Sequence, residues 1–263
     1  MTRARSIAVA QTVPVPGDVG ANVAEHLRLA RAAAREGAQV LVFPEMSLTG
    51  YELELACGLA FTRDDARLAP LAEAARVCST TLVVGAPVRI ESRLHIGAII
   101  LSPDGAVNLY TKQRMGAFSE SASRDGVVPP PEARFFQPGG LNPLVSFGGH
   151  TAAVAVCADT GRPSHAEAAA RRGATVYLAS MFVIPSEFGR ETANLREYAA
   201  RHALVVAFAN YGGPSGGLAS AGRSAVWSER GELLLQLPRA GAGFGVASES
   251  ESGWRCETVL LGE

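Results

Sequence analysis

Three side chains with complementary chemistry each stand directly after a predicted strand. Glu45 follows the apolar residues 40–43 and a proline, and Cys157 follows the apolar run 151–156. Lys112 directly follows a third predicted strand, residues 106–111. A carboxylate, an ammonium group and a thiol supply a general base, a cation and a nucleophile. Because ligands of open α/β folds bind beyond the carboxyl ends of strands, we expect the three side chains to meet there.

Each of these residues also has an ordinary interpretation. Glu45 and Lys112 can be solvated loop residues, and Cys157 can be an inert buried thiol. Near the thiol, Ser164 and Glu167 have the spacing of a capping box, which predicts a helix start close by. A helix N-terminus or a nearby cation lowers the pKa of a thiol and favours the reactive thiolate. The combination of the three residues, rather than any one of them, therefore indicates a site.

Short strands alternate with Ala-rich helical stretches along the chain, which predicts a layered α/β domain. Helices are predicted at residues 22–35, 64–77, 166–172 and 187–202. Strands are predicted at 6–10, 39–43, 81–86, 175–179 and 204–209, and hairpins at 95–111, 144–156 and 224–237. Residues 113–142 form a long loop rich in Pro, Gly and Ser, a feature that is often functional.

The chain lacks an evident interdomain linker. We therefore predict one domain over residues 1–240. A tail at residues 241–263 is expected to pack on that domain or on a partner subunit, with short strands near 245–247 and 257–260.

Composition limits the class of partner. Hydrophobic residues make up 48% of the 263 residues and charged residues 19%, so the chain can bury a large core. The formal net charge is −1 and no long basic run is present, which favours small molecules or copies of the chain over nucleic acid or an anionic membrane. The N-terminal apolar stretch is too short for a signal peptide and no run approaches a membrane span, so we expect a cytoplasmic protein.

The cysteines give no metal-binding or redox pattern. Cys57, Cys78, Cys157 and Cys256 are far apart and form no CxxC pair, which argues against a structural zinc site or a thioredoxin-like motif. We expect neither a metal nor an organic cofactor. A redox-sensing thiol would need a resolving cysteine, and none lies near Cys157 in sequence.

The surroundings of the three residues resemble motifs of the nitrilase, or carbon–nitrogen hydrolase, superfamily. Phe-Pro-Glu, which ends at Glu45, resembles the glutamate motif of the family. Tyr-Thr-Lys, which ends at Lys112, resembles its Tyr-Arg-Lys motif, and Cys-Ala-Asp, which begins at Cys157, resembles its Cys-Tyr-Asp motif. The order, the spacings of 67 and 45 residues and Gly-Arg-Ser at residues 222–224 also suit the family. Three motifs in order are a specific signal, and the resemblance covers roughly residues 5–238.

The resemblance implies a four-layer α-β-β-α sandwich and a homodimer, or larger assembly, packed through helices. It also implies a second glutamate in the loop after Lys112. Glu132 is followed by an aromatic pair and a glycine, as in one form of the family, whereas Glu120 lies eight residues after the lysine, as in some amidases. We favour Glu132, because more of its neighbours fit.

Family chemistry assigns a role to each of these residues. Glu45 would act as general base for Cys157, the Lys112 ammonium and the Ala158 N–H would hold the oxyanion, and Glu132 would hold Lys112. Four further residues are candidates for the pocket lining, with ordinary core positions as the alternative: Tyr51, Phe118, Met181 and Phe182. No motif supports a papain-like histidine base, so His150 and His165 are interpreted as surface or pocket-rim residues.

Cys-Ala-Asp in place of the Cys-Trp-Glu typical of true nitrilases favours amides or N-carbamoyl compounds over nitriles. Residues 160–165 depart from the family text that commonly shapes the pocket, so no particular substrate transfers. The expected function is hydrolysis of a small amide through a cysteine thioester. An amide-forming acyltransferase and a catalytically silent binding protein on the same scaffold are the alternatives.

Overall fold

The computed structural model describes residues 5–123 and 126–262. Its first sheet contains seven strands in the order β13-β12-β1-β2-β3-β4-β5. In chain order these are β1 (Ser6–Gln11), β2 (Val40–Val42), β3 (Thr81–Ile90), β4 (Arg93–Leu101), β5 (Val107–Thr111), β12 (Gly243–Ser250) and β13 (Gly253–Leu260). The stretch predicted as a tail therefore extends this sheet, with β12 antiparallel to β1.

The second sheet contains six strands in the order β11-β10-β9-β8-β7-β6. They are β6 (Leu144–Phe147), β7 (His150–Val156), β8 (Val176–Ser180), β9 (Val205–Ala209), β10 (Ala225–Trp227) and β11 (Leu233–Gln236). The helices are α1 (Val19–Arg35), α2 (Ala56–Leu59), α3 (Ala69–Cys78), α4 (Pro163–Arg171) and α5 (Phe188–His202). No helix in the described ranges is both long and apolar enough to cross a membrane.

Parallel strands form the centre of each sheet. β1, β2 and β3 are parallel, as are β7, β8 and β9, and helices connect them. Since β4 is antiparallel to both β3 and β5, β5 runs in the same direction as β2. The residues that follow β2 and β5 therefore lie at the same end of the strands in the first sheet.

Three apolar layers fill the interior, which makes the predicted four-layer α-β-β-α sandwich correct. One layer lies between the first sheet and helices α1 and α3, and includes Leu29 and Leu71. The second lies between the sheets and includes Val154. The third lies between the second sheet and helices α4 and α5, and includes Tyr177 and Leu195. Each sheet thus buries both faces, which explains the nearly continuous apolar text of its central strands.

Local predictions failed at two helices. The capping box is wrong: α4 begins at Pro163, one residue before Ser164, and its N-cap Arg162 makes no side-chain capping bond. Proline suits the first helical position because its φ is already helical and its missing N–H has no partner there in any case. The short helix α2 was not predicted, since four residues are too few to show a periodic pattern.

Candidate active site

Glu45 lies in a tight turn directly after β2 and is fully buried. The next residue, Met46, has a φ of 52°, in the left-handed region that side chains other than glycine rarely adopt. Gly85 of β3 packs against this turn, and a Cβ atom there would lie only 2.2 Å from the carbonyl oxygen of Pro44. Tyr211 donates its hydroxyl hydrogen to the backbone oxygen of Glu45. The turn is thereby held in one conformation.

Lys112 follows β5 and is also fully buried. Its Nζ atom lies 2.7 Å from Oε1 of Glu45 and 2.7 Å from Oε1 of Glu132. A lysine ammonium donates up to three hydrogen bonds, so one donor position is left after these two contacts. The structure therefore brings Glu45, Lys112 and Glu132 together in one buried cluster.

Glu132 lies in a single turn of 3-10 helix within the long loop. Besides Lys112, it accepts hydrogen bonds from the Tyr51 hydroxyl at 2.6 Å and from the Gly116 backbone N–H at 2.6 Å. The rival glutamate, Glu120, is exposed in a different turn of the same loop. Of the two carboxylates considered from the sequence, Glu132 is the one in the cluster.

Cys157 opens a 3-10 turn where β7 ends, and its φ is 42°. Such strain on a residue with a side chain is characteristic of functional sites. The thiol points toward the backbone oxygen of Phe182, with 3.7 Å between Sγ and O. Oε2 of Glu45 is buried with no hydrogen-bond partner in the described part of the chain, so it has lone pairs available to accept a proton.

The ionisation of the cluster follows from its burial. Burial raises the pKa of Glu45 to about 7, against the opposing effect of Lys112. Burial alone would lower the pKa of Lys112, but the charges of Glu45 and Glu132 raise it above its usual value. Burial and the charge of Glu45 raise the pKa of the Cys157 thiol well above its usual value. The expectation of a lowered thiol pKa is therefore wrong, because burial, reinforced by the charges of Glu45 and Glu132, outweighs the opposing effect of the Lys112 ammonium group.

A cavity of about 430 Å³ opens onto Cys157 and Glu132. Its wall includes all five of the other residues predicted to bind the oxyanion or the substrate: Tyr51, Phe118, Ala158, Met181 and Phe182. The rings of Tyr51, Phe118 and Phe182 contact one another, with centroids 5.1–5.7 Å apart. One side of the cavity is therefore an aromatic surface. A larger cavity of about 560 Å³, near Cys78 and Asn108, contains none of the predicted site residues.

The polar part of the cavity wall was not predicted from the sequence. Four polar residues in α5 and at its N-cap line the cavity: Glu187, Arg190, Glu191 and Asn194. Their spacing of three, four and seven residues is that of one helix face, and this spacing could have identified them. Arg190 pairs with Glu191 at 2.9 Å and with Glu187 at 3.4 Å. Arg114, from the loop after Lys112, lines the same cavity.

His165, interpreted from the sequence as a surface or pocket-rim residue, does not line the cavity and is only partly exposed. It lies behind the cysteine turn, where its ring nitrogens approach the hydroxyls of Tyr177 at 2.8 Å and Tyr110 at 3.1 Å. Burial lowers its pKa. His165 lies in the first turn of α4, where it contacts one tyrosine from each sheet. Within the described ranges, no group of three or more His, Cys, Asp and Glu residues could hold a metal ion.

The carbon-nitrogen hydrolase family model matches residues 6–248, and the chain belongs to this family. A solved amidase from Nesterenkonia sp. AN1 is 27% identical with a TM-score of 0.81, covering 94% of this chain and 90% of that one. In that structure the acetamide moiety of fluoroacetamide is bound covalently to the active-site cysteine.

Among curated relatives, the glutamine-dependent NAD(+) synthetase of Mycobacterium tuberculosis is 32% identical over 94% of this chain. The chain spans only 39% of the length of that synthetase. The aliphatic nitrilase of Sinorhizobium fredii is 33% identical over 43% of this chain and 42% of its own length.

Proposed function

We propose that this protein hydrolyses the carbon–nitrogen bond of a small amide with Cys157 as the nucleophile. The observation that carries the proposal is the buried cluster in which Lys112 bridges Glu45 and Glu132 at 2.7 Å each, beside a cavity that Cys157 lines. This set supplies a base, a fixed cation and a nucleophile at one reactive point. A silent binding protein would have no need to bury two carboxylates and an ammonium group, which is costly.

In the proposed reaction, Glu45 accepts the proton of the Cys157 thiol as the sulfur attacks the amide carbon. The oxyanion of the tetrahedral intermediate accepts hydrogen bonds from the Lys112 ammonium and the Ala158 N–H. Protonated Glu45 then gives its proton to the leaving nitrogen, and ammonia or an amine departs from a thioester. Glu45 next takes a proton from water, which attacks the thioester. The C–S bond then breaks, Glu45 returns the proton to the Cys157 sulfur, and the acid is released.

The raised pKa of Glu45, about 7, suits this double role. A general base and acid works best when its pKa lies near the working pH. Glu132 accepts hydrogen bonds from Lys112, Tyr51 and the Gly116 backbone. We assign it the role of holding Lys112 and the pocket wall, because its oxygens are already occupied.

The aromatic wall of Tyr51, Phe118 and Phe182 supports a substrate with a short apolar acyl group. The structural similarity to the Nesterenkonia amidase, which has been solved in complex with butyramide and acrylamide, agrees with this choice. Simple aliphatic amides are therefore the first candidate substrates.

A second candidate is an amide whose acyl chain ends in an α-amino acid, such as glutamine. The cavity rim presents cations, Arg114 and Arg190, together with carboxylates, Glu187 and Glu191. Charges of both signs suit a substrate that carries an ammonium and a carboxylate group. The relatives named for glutamine-dependent NAD(+) synthesis support this candidate, although the chain spans only 39% of their length.

The test is ammonia release from propionamide, butyramide, glutamine, an N-carbamoyl amino acid and butyronitrile. We expect release from an amide and complete loss in Cys157→Ala with an unchanged circular dichroism spectrum. Cys78→Ala, a cysteine outside the site, is the matched control and should retain activity. Undiminished release by Cys157→Ala would refute the proposal, and the preferred amide decides between the two candidates.

The acyltransferase alternative is tested in the same assay. Added hydroxylamine should compete with water for the thioester and yield a hydroxamate. If acid forms only slowly and an amine is needed for turnover, transfer rather than hydrolysis is the function. Mass spectrometry of the protein after incubation with amide should reveal an acyl adduct on Cys157, and a silent binding protein would show none.

A further inference from the structure

Asp159, two residues after Cys157, is 1% exposed. Its carboxylate accepts four hydrogen bonds, from the Tyr110 hydroxyl (2.7 Å) and from the backbone N–H groups of Arg114 (2.9 Å), Gln113 (3.1 Å) and Val156 (3.3 Å). A carboxylate offers about four acceptor positions, so this side chain is fully used.

These donors come from two different sheets. Gln113 and Arg114 directly follow Lys112 at the end of β5 in the first sheet. Val156 ends β7 in the second sheet and directly precedes Cys157. One buried side chain therefore ties the backbone after the lysine to the backbone that carries the thiol.

The segment after the lysine is also held at its far end. The Gly116 N–H donates to Glu132 at 2.6 Å, and the Glu132 N–H donates to the Gly116 carbonyl oxygen at 3.1 Å. A lysine ammonium sits on a flexible four-carbon stem, so its location depends on how firmly its backbone and its partners are held. Asp159 fixes the first part of this segment and Glu132 fixes the last.

We propose that Asp159 is a positioning residue that sets the location of the Lys112 ammonium relative to the Cys157 thiol. The proposal rests on the proposed roles of Lys112 and Cys157. Asp159 does not itself line the cavity and acts only through its neighbours. Because Lys112 favours the thiolate through its charge, a displaced ammonium group leaves the thiol less reactive.

An amide cannot replace this carboxylate. Asparagine has one acceptor oxygen, and its NH₂ group would face N–H or O–H donors that need an acceptor. In Asp159→Asn the amide NH₂ replaces one of the two oxygens, so the side chain loses either both contacts to Gln113 and Arg114 or both contacts to Tyr110 and Val156. In either case the hydrogen bonds that connect the backbone after Lys112 with the backbone before Cys157 are weakened.

The test is the pH dependence of Cys157 alkylation by iodoacetamide, followed by peptide mass spectrometry so that the other cysteines do not interfere. In Asp159→Asn we expect the rate at pH 8 to fall about tenfold, equivalent to a rise of about one unit in the apparent thiol pKa. Asp65→Asn is the matched control, since the Asp65 carboxylate also accepts a backbone N–H bond and arginine bonds, all from Arg67, and lies outside the cavity. It should leave the alkylation profile unchanged.

A Lys112→Met background separates positioning from general structural damage. If Asp159 acts through Lys112, adding Asp159→Asn to Lys112→Met should change the alkylation profile no further. A folded Asp159→Asn protein with the wild-type profile, or an equal fall in both backgrounds, would overturn the proposal.

If Asp159→Asn does not fold, Tyr110→Phe removes one of the four donors and should shift the profile in the same direction by a smaller amount. An unchanged profile in that variant would then count against the proposal. Alkylation needs no substrate turnover, so this result stands apart from a failure to find amide hydrolysis.

Discussion

Lys112 is the only lysine in a chain with 24 lysine and arginine residues. Every other long basic side chain is arginine, so the use of lysine at this one position needs a local reason. Lys112 is fully enclosed, with Glu45 and Glu132 each 2.7 Å from Nζ. A compact ammonium group fits between two carboxylates in this space, whereas a planar guanidinium is wider and has a fixed fork of donors.

We therefore predict that Lys112→Arg keeps the charge but fails in the reaction. The value of kcat should fall about 100-fold or more, as for loss of an oxyanion donor. The matched control is the reverse exchange, Arg171→Lys, in an exposed helical ion pair with Glu167, which should leave kcat unchanged. Steady-state kinetics on the preferred amide measures kcat for both variants. A kcat of Lys112→Arg within a few-fold of the wild-type value would show that a guanidinium can replace the ammonium group.

The ionisation of Glu45 should determine how kcat/KM depends on pH. Glu45, with a pKa of about 7, accepts the thiol proton only in its ionised form. As pH falls through 7 the carboxylate becomes protonated, so kcat/KM should fall about tenfold per pH unit below about pH 6. Measuring kcat/KM from pH 5 to 8 tests this fall. Circular dichroism at each pH verifies that the protein stays folded. A flat profile over that range would show that Glu45 is not the base.

At the scale of elements, the turns after the strands determine the site. Gly85 is needed where β3 meets the turn that carries Glu45, since a Cβ there would lie 2.2 Å from Pro44 O and 2.4 Å from Met46 N. The Gly85 N–H also bonds the Ser47 hydroxyl, and the Leu48 N–H bonds the Gly85 carbonyl oxygen. Any side chain at this position must push the turn away from the sheet.

Gly85→Ala is therefore expected to lower kcat/KM about tenfold or more, because small displacements of reacting groups are costly. Melting temperature should fall as well. Gly58→Ala is the control, since a Cβ at Gly58 meets nothing within 4 Å. Full activity in folded Gly85→Ala would mean that the turn tolerates displacement and that the position of Glu45 is set elsewhere.

The sequence was sufficient to predict elements with strong patterns. The central strands, the three hairpins and the long helices α1 and α5 were all predicted within a few residues. The capping box at Ser164 failed because a proline just before it began the helix instead. The position of His165 depends on contacts with Tyr110 and Tyr177, which lie on other elements and could not be inferred from local spacing.

The electrostatics of the site depend on the whole molecule. The thiol is preceded by neutral residues and followed by one aspartate, so its sequence context gives no sign of a raised pKa. The rise comes from burial and from Glu45, a residue 112 positions earlier on the other sheet. Only the packing of the two sheets brings these groups together. The homodimer implied by the family resemblance stays a prediction.

Glu45 and Lys112 follow strands of the first sheet and Cys157 follows a strand of the second, so turnover should depend on the packing between the sheets. Val83 and Val84 are adjacent on β3 and both fully buried, but Val83 faces the second sheet and Val84 faces the helices. Either valine-to-alanine change should cost about 2 kcal/mol of unfolding free energy through lost burial and a small cavity. Denaturant unfolding measures this loss.

The two variants should differ in turnover. A cavity between the sheets lets them shift relative to each other, which moves Glu45 and Lys112 against Cys157, whereas a cavity under the helices leaves that spacing intact. We therefore expect Val83→Ala to lower kcat per folded molecule several-fold more than Val84→Ala, with equal losses of stability. Equal kcat values in the two variants would mean that the site is held by its local hydrogen bonds and is insensitive to the packing between the sheets.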